Sequence, residues 1–386
     1  MLNCLCKTIL DGGKHTITIR APPSIHNLGF LQNPFLSLKY NSTTTNQQPF
    51  VVSYLINTLG FSPETALSAS SDVNFETPEK ADIVVNFFKK QGFSQTQISN
   101  LVRRLPSVLI SDPEKTFLPK IEFLSSKGIS IPNLTKLLST DPNLLKTNLE
   151  KRLIPSYDFF KNLLHSEVKT FEAIKRYPDL LRRNIKTCVI PNINILRQNG
   201  VPERCIIFII CYQPRVLTVN PVQFRDIVDE VKEMGFNPLT IIFAEAVITL
   251  LSIGKLAWER KVDVFKKWGW SEDDVFLAFR SYPGFMLVSE DKIMRVMDFC
   301  INKMGMESSL IIKCPRLFTY SLEKRLIPRS LVCQVLLSKG LVKKELKMPT
   351  FIQYSERTFV QKYIMPHKEE ASELLKLYKE KLDLSK

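Results

Sequence analysis

Glycine is scarce, 13 of 386 residues, about half the usual share of roughly 7%, and that is too little for the many tight turns of a β-sandwich or barrel. Histidine is scarcer: four in the chain, of which only His165 and His367 lie beyond residue 48. Neither stands beside a cysteine or an acid cluster that would complete a catalytic triad or a metal set. Eight cysteines, at positions 4, 6, 188, 205, 211, 300, 314 and 333, form no C-x-x-C pair and read as buried apolar residues in a reducing compartment. Neither a G-x-x-x-x-G-K-[ST] phosphate loop nor a G-x-G-x-x-G turn is present. No apolar run approaches the roughly 20 residues that cross a bilayer; the best candidates are Cys205–Tyr212 and Ile241–Leu251, the second broken by Glu245. The expectation is therefore a protein with no catalytic residues, no metal, no cofactor and no membrane span.

Acidic residues are also in the minority, 38 against 53 Lys and Arg, a formal charge of +15. Such a field attracts phosphate polymers. With 44% hydrophobic and 24% charged residues the rest of the composition is that of a globular chain with a sizeable core. The first 48 residues differ. They hold one acid, Asp11, against Lys7, Lys14, Arg20 and Lys39, and end in the polar run Asn41–Gln48. An acid-poor, hydroxylated segment of this kind reads as a disordered organelle transit peptide over 1–48. Its single arginine leaves mitochondrion and chloroplast both open, with mitochondrion preferred.

The few glycines are not scattered. Gly60, Gly92, Gly128, Gly200, Gly235, Gly269, Gly305 and Gly340 recur at about 35 residues, with one doubled interval in which Leu164 stands where a glycine would fall. Proline keeps a second period in a Pro-x-apolar-apolar signature at Pro106, Pro142, Pro178, Pro214, Pro283 and Pro315, with Ser70 and Val247 filling the slot in two degenerate copies. A further proline follows thirteen residues later at Pro119, Pro155, Pro191 and Pro328, and the heptapeptide Leu149–Pro155 recurs unchanged as Leu322–Pro328. Within one copy, Ser94 and Gln97 have capping-box spacing, Ile98, Leu101, Val102 and Leu105 recur at helical intervals, and Pro106 ends the helix. Asp112-Pro113 then starts a second helix, with Phe117, Ile121 and Leu124 on one face, a kink or split at Pro119, and a stop at Gly128. The acids Glu272, Asp273 and Asp274 after Ser271 read as helix-start residues. The fold expected is all-α: a right- or left-handed superhelical solenoid of about eight repeats over 49–367, closed by an amphipathic capping helix or tail over 368–386.

A repeat built on Pro-x-Leu-Leu, a second proline thirteen residues on, and a Phe-Leu-x-x-x-Gly ending (Phe123–Gly128) resembles the mitochondrial transcription termination factor (mTERF) family. The likeness runs from about Phe50 to the end, through Leu59–Glu64, Phe75–Glu79 and Tyr354–Tyr363, the last similar to land-plant members. It implies repeats of three short helices and a basic concave surface that binds organellar double-stranded DNA or RNA, in transcription, its termination, intron splicing or ribosome assembly.

Equal repeat offsets align in a solenoid, so basic offsets would make a track for phosphates. One column lies just before the anchor proline: Arg103, Arg104, Lys175, Arg176, Arg280 and Lys313. A second lies nine and ten residues after it: Lys151, Arg152, Lys324 and Arg325, with Lys115 and Lys292. Arg182, Arg183, Arg215, Arg316 and Arg329 lie nearby. Taken singly, each reads as solvated surface, and the Lys-Arg pair of the heptapeptide has a structural alternative as a partner of acids or helix ends. Tyr177 and Tyr282 precede anchor prolines, where they could stack on bases or pack between helices. The reading is a monomeric nucleic-acid-binding regulator of organellar gene expression, with possible organellar protein partners. The alternative is a helical-repeat scaffold in ribosome or transcript assembly.

Overall fold

The computed structural model describes residues 47–342, 351–367 and 369–383. The expected transit peptide lies outside these residues except for Gln47 and Gln48, which open the first helix, Gln47–Leu59. Among the described residues there are helices and turns and no strand. The chain divides into two compact units, Met1–Ile185 and Lys186–Lys386, each a stack of helical repeats.

One repeat shows how the punctuation works. Ser94 and Gln97 form the reciprocal capping box at the head of Gln95–Arg104. Leu105, held out of helical geometry ahead of a proline, turns the chain (φ −148°) into a 3-10 turn over Pro106–Ile110. The Asp112 carboxylate then accepts the amides of Glu114 and Lys115 and starts Pro113–Thr116. Pro119 has no N–H to give, so the chain re-enters a separate helix at Leu118–Ser126. The unit is thus three helical pieces, with a split where the second proline falls. The same 3-10 turn follows the anchors at Pro178–Leu181, Pro214–Thr218, Pro283–Leu287 and Pro315–Thr319. Both copies of the heptapeptide adopt one conformation, a π-helical turn over Leu149–Leu153 and Leu322–Leu326, each followed by a helix with proline in its first turn.

All eight periodic glycines have positive φ, from 63° to 87°, the left-handed geometry that ends a helix. In the doubled interval that role belongs to His165 (φ 49°) and not to Leu164, which is buried. Histidine tolerates the left-handed region better than a branched residue does.

The degenerate copy at Val247 departs most. No 3-10 turn forms; Ile241–Lys266 runs on and breaks only at Gly254 (φ 65°, ψ 165°), seven residues past the anchor slot, where the other copies begin their second helix. This stretch is long and apolar enough by composition to cross a membrane, but the break halves it, and Phe243, Ala244, Val247 and Ile248 are buried against their own unit. Nothing stands within 4 Å of a Cβ built on Gly254, so only the backbone resists a side chain there. Gly254→Ala is expected to lower unfolding free energy by about 1–3 kcal/mol, read by urea denaturation; an unchanged midpoint would show that the break is not tied to glycine.

Successive repeats are fastened by a buried donor fourteen residues past the anchor. Lys120 Nζ donates to Leu145 O, Asn192 Nδ2 to Leu217 O at 3.0 Å, and Lys261 Nζ to Met286 O at 2.6 Å, each across 25 residues of sequence. The acceptor is always the fourth residue of the next Pro-x-apolar-apolar turn. Arg329 occupies the same offset and donates to Ile352 O at 3.0 Å and Tyr354 O at 2.6 Å. Burial lowers the ammonium pKa values of Lys120 and Lys261.

Glu230, only 8% exposed, has its carboxyl pushed up to about 7, first by burial and then by the charge of Glu233. The folded chain holds this proton more tightly than the unfolded chain, so its stabilising effect is full below the ordinary carboxyl pKa and is lost as pH rises towards about 7. Glu230→Gln is expected to flatten that pH dependence and raise the melting temperature at pH 8. A variant that melts lower than wild type at pH 8 would refute the assignment.

The expected C-terminal amphipathic helix is Ala371–Asp383. Leu374 and Tyr378 are each 1% exposed, and Tyr378 Oη donates to Glu356 Oε2 at 2.8 Å. Cys205, Cys300 and Cys333 are buried and Cys188, Cys211 and Cys314 partly so, with no disulfide among the described residues.

Candidate nucleic-acid interface

The column before the anchor sits at helix C-termini, where a cation complements the exposed carbonyls and the helix dipole. Arg103 and Arg104 close Gln95–Arg104, Lys175 and Arg176 close Glu167–Arg176, Arg280 lies in the last turn of Glu272–Ser281, and Lys313 caps Ser308–Ile312. All six are exposed. Arg103 donates to Asn100 Oδ1 at 3.2 Å and lies over the Phe61 ring, Arg104 donates to Thr140 O of the next repeat at 2.8 Å, and Lys175 pairs with Glu172 at 3.4 Å. Arg280 and Lys313 form no ion pair among the described residues.

The second column divides. Lys151 and Lys324 are exposed and Arg152 half-buried, and none of the three forms an ion pair among the described residues. Arg325 turns inward: its Nε donates to Ile352 O at 3.0 Å, its Nη2 to Gln353 O and Tyr354 O, and its guanidinium stacks 4.3 Å from the Tyr320 ring centre. Lys115 is solvated beside Asp112 at 3.6 Å, and Lys292 reaches Thr319 O at 3.4 Å. The structural alternative therefore holds for Arg325 and not for its neighbour Lys324.

Among the remaining arginines, Arg182 pairs with Asp141 at 3.3 Å and with Asp179, and Arg183 also pairs with Asp179. Burial pushes the Asp179 carboxyl up, but the hydrogen bond from Arg183 and the charge of Arg182 outweigh it and hold the pKa below the ordinary value. Arg215 is exposed and forms no ion pair among the described residues. Arg316 is exposed with its guanidinium 4.8 Å from the Tyr282 ring centre. Tyr177 donates to Asp179 Oδ2 at 3.1 Å.

Arg329 has to be withdrawn from the set of surface cations. It is 1% exposed, spends its donors on Phe351, Ile352 and Tyr354 carbonyls, pairs with Glu356 at 3.4 Å, and packs over Phe359. A guanidinium held in this way cannot swing out to a phosphate without taking its hydrogen bond away from the buried Phe351 carbonyl. Among the described residues, the cations at repeat offsets that form no ion pair are Lys151, Arg215, Arg280, Lys313 and Lys324, all exposed, and the half-buried Arg152. The sequence carried a usable signal for the buried donors: Lys120 shares a helical face with Phe117, Ile121 and Leu124.

Two clefts recur at matching offsets. One is lined by Lys115, Lys120, Lys146, Asn148 and Glu150, the other by Ser321, Lys324, Arg325, Arg329, Ser355 and Glu356. Each lies between the second helix of one repeat and the start of the second helix of the next. Among the described residues, no group of three or more His, Cys, Asp or Glu is placed to hold a metal ion.

A family model described as mTERF matches residues 85–252 and 239–360, together more than half of the chain. The two matches overlap at the degenerate copy around Val247. In Arabidopsis thaliana, the protein named "Transcription termination factor MTERF15, mitochondrial" is 27% identical over 109 residues, 28% of this chain and 24% of that protein. The aligned part thus spans about a quarter of that relative's length.

Proposed function

Because the chain belongs to the mTERF family, whose members are nucleic-acid-associated regulators of organellar gene expression, we propose that it binds organellar double-stranded DNA or RNA as a monomer and acts in transcription, its termination, or RNA processing such as intron splicing. The observation that carries this reading is the set of cations without acidic partners among the described residues, exposed at Lys151, Arg215, Arg280, Lys313 and Lys324 and half-buried at Arg152. An unpaired surface cation gives up no salt bridge when it meets a phosphate, and each contact releases condensed counterions. Contacts of this type position a strand by its backbone. The site of action is the mitochondrion, which agrees with the acid-poor segment 1–48 and with the word in the relative's name.

Crosslinking in isolated mitochondria and chloroplasts, followed by sequencing of the nucleic acid recovered with the protein, tests this. Enrichment of discrete mitochondrial transcripts or DNA segments is expected. Enrichment from chloroplasts alone would move the site of action. Recovery of organellar proteins with no nucleic acid would instead favour an assembly scaffold.

A further inference from the structure

The second of the two clefts carries more positive charge than its surroundings balance. Lys324 stands exposed on its rim with no ion pair among the described residues, Arg325 is half-buried, and Arg329 lies 1% exposed at its wall with an Nε that has no hydrogen-bond partner. Facing these three cations among the lining residues is one carboxylate, Glu356, which is also held by Tyr378 Oη. The nearby Glu323 is occupied by Arg295 at 2.8 Å. Burial, and then the charge of Arg329, hold the Arg325 guanidinium pKa below its ordinary value, a strain that an anion in the cleft would relieve. Hydroxyls from Ser321 and Ser355 supply neutral polar groups on the same walls.

The matching cleft in the first unit, with Lys115, Lys120 and Lys146 around Glu150, is built from equivalent offsets of two other repeats. In both clefts the lining cations thus outnumber the lining acids, although in the first Lys115 also has Asp112 beside it at 3.6 Å.

We propose that the Lys324–Arg325–Arg329 cleft is a phosphate subsite, in which Lys324 engages one phosphate group while Arg325 and Arg329, held by backbone carbonyls, supply fixed positive charge from the walls. The proposal rests on the nucleic-acid reading in taking that phosphate from the backbone of a bound strand. It goes beyond that reading by assigning the contact to an inter-repeat cleft rather than to an open surface.

The test uses the full chain, with Lys324→Ala and Lys324→Glu set beside Lys376→Ala, an exposed cation on the C-terminal helix. Lys324 forms no ion pair among the described residues, so both variants should melt with wild type. Binding of organellar DNA and RNA is measured across salt, and melting is measured with inorganic phosphate against chloride at equal ionic strength. Lys324→Ala is expected to shrink the salt slope by about one unit while Lys376→Ala leaves it unchanged, and phosphate is expected to raise the wild-type melting temperature but not that of Lys324→Glu. Steep binding by wild type with an unaltered slope in Lys324→Ala overturns the subsite and leaves the nucleic-acid reading standing. If wild type binds no nucleic acid, that reading falls; a phosphate-dependent melting shift that Lys324→Glu abolishes then supports the cleft as a site for free phosphate, and no shift overturns it.

Discussion

Arg329→Ala is expected to cost the second unit about 3–5 kcal/mol, the range for removing one member of a buried, hydrogen-bonded charge group. The loss has three sources. The carbonyls of Phe351, Ile352 and Tyr354 lose a donor, and any that stays buried costs about 1–3 kcal/mol. Glu356 loses its cation, and through Glu356 the Tyr378 hydroxyl loses a fixed acceptor, loosening Ala371–Asp383. A large side chain also disappears from a packed site beside Phe359. Because repeats are coupled to their neighbours, the damage should stay local. Hydrogen exchange is expected to rise over 351–383 and to remain at wild-type levels in the first unit. A change below about 1 kcal/mol would mean that Arg329 is a surface residue after all.

Replacing Lys151, Arg152, Arg280 and Lys313 together by alanine is expected to weaken nucleic-acid binding by roughly a thousandfold near 0.15 M salt, from a slope of about 0.9 per phosphate contact on duplex DNA. Stability should change little, since none of the four forms an ion pair among the described residues and Lys151, Arg280 and Lys313 are exposed, where substitutions stay within about ±0.5 kcal/mol. The control removes Lys89, Lys90, Lys267 and Lys376, four exposed cations away from the columns. The net charge change is then identical, and only position differs. Equal losses from the two variants would mean that general charge, not the repeat offsets, holds the strand.

What could be read from the sequence was what the backbone enforces locally. A proline ends the helix before it, so the anchors at Pro106, Pro178, Pro214, Pro283 and Pro315 are followed by 3-10 turns, while Pro142 leads into the short helix Asn143–Lys146. A glycine stop needs only its own φ, so the eight periodic glycines appeared as left-handed caps. The capping boxes at Ser94 and Ser271 likewise involve partners three residues away. Gly254 was harder to read: its break depends on the missing proline at Val247, and nothing nearby in sequence marks it. The direction of a cation was hardest. Lys324 and Arg325 are adjacent, yet one faces solvent and the other the carbonyls of Ile352–Tyr354, a distinction set by residues nearly thirty positions away. Arg329 misled for the same reason. In the other copy of the heptapeptide its offset holds Ser156, so that copy gave no sign of a buried donor; among the described residues, Lys120 and Lys261 are the cations at this offset that share its role.

The central claim is that this chain holds nucleic acid through phosphates, and a salt titration tests it most directly. Association with organellar DNA and RNA is measured for the full chain from low to physiological salt, next to an unrelated globular protein of the same net charge. A linear fall of log affinity with log salt is expected, steeper than the control's and with several contacts' worth of slope, at affinities well above the control throughout. Binding that matches the control in strength and slope would contradict it.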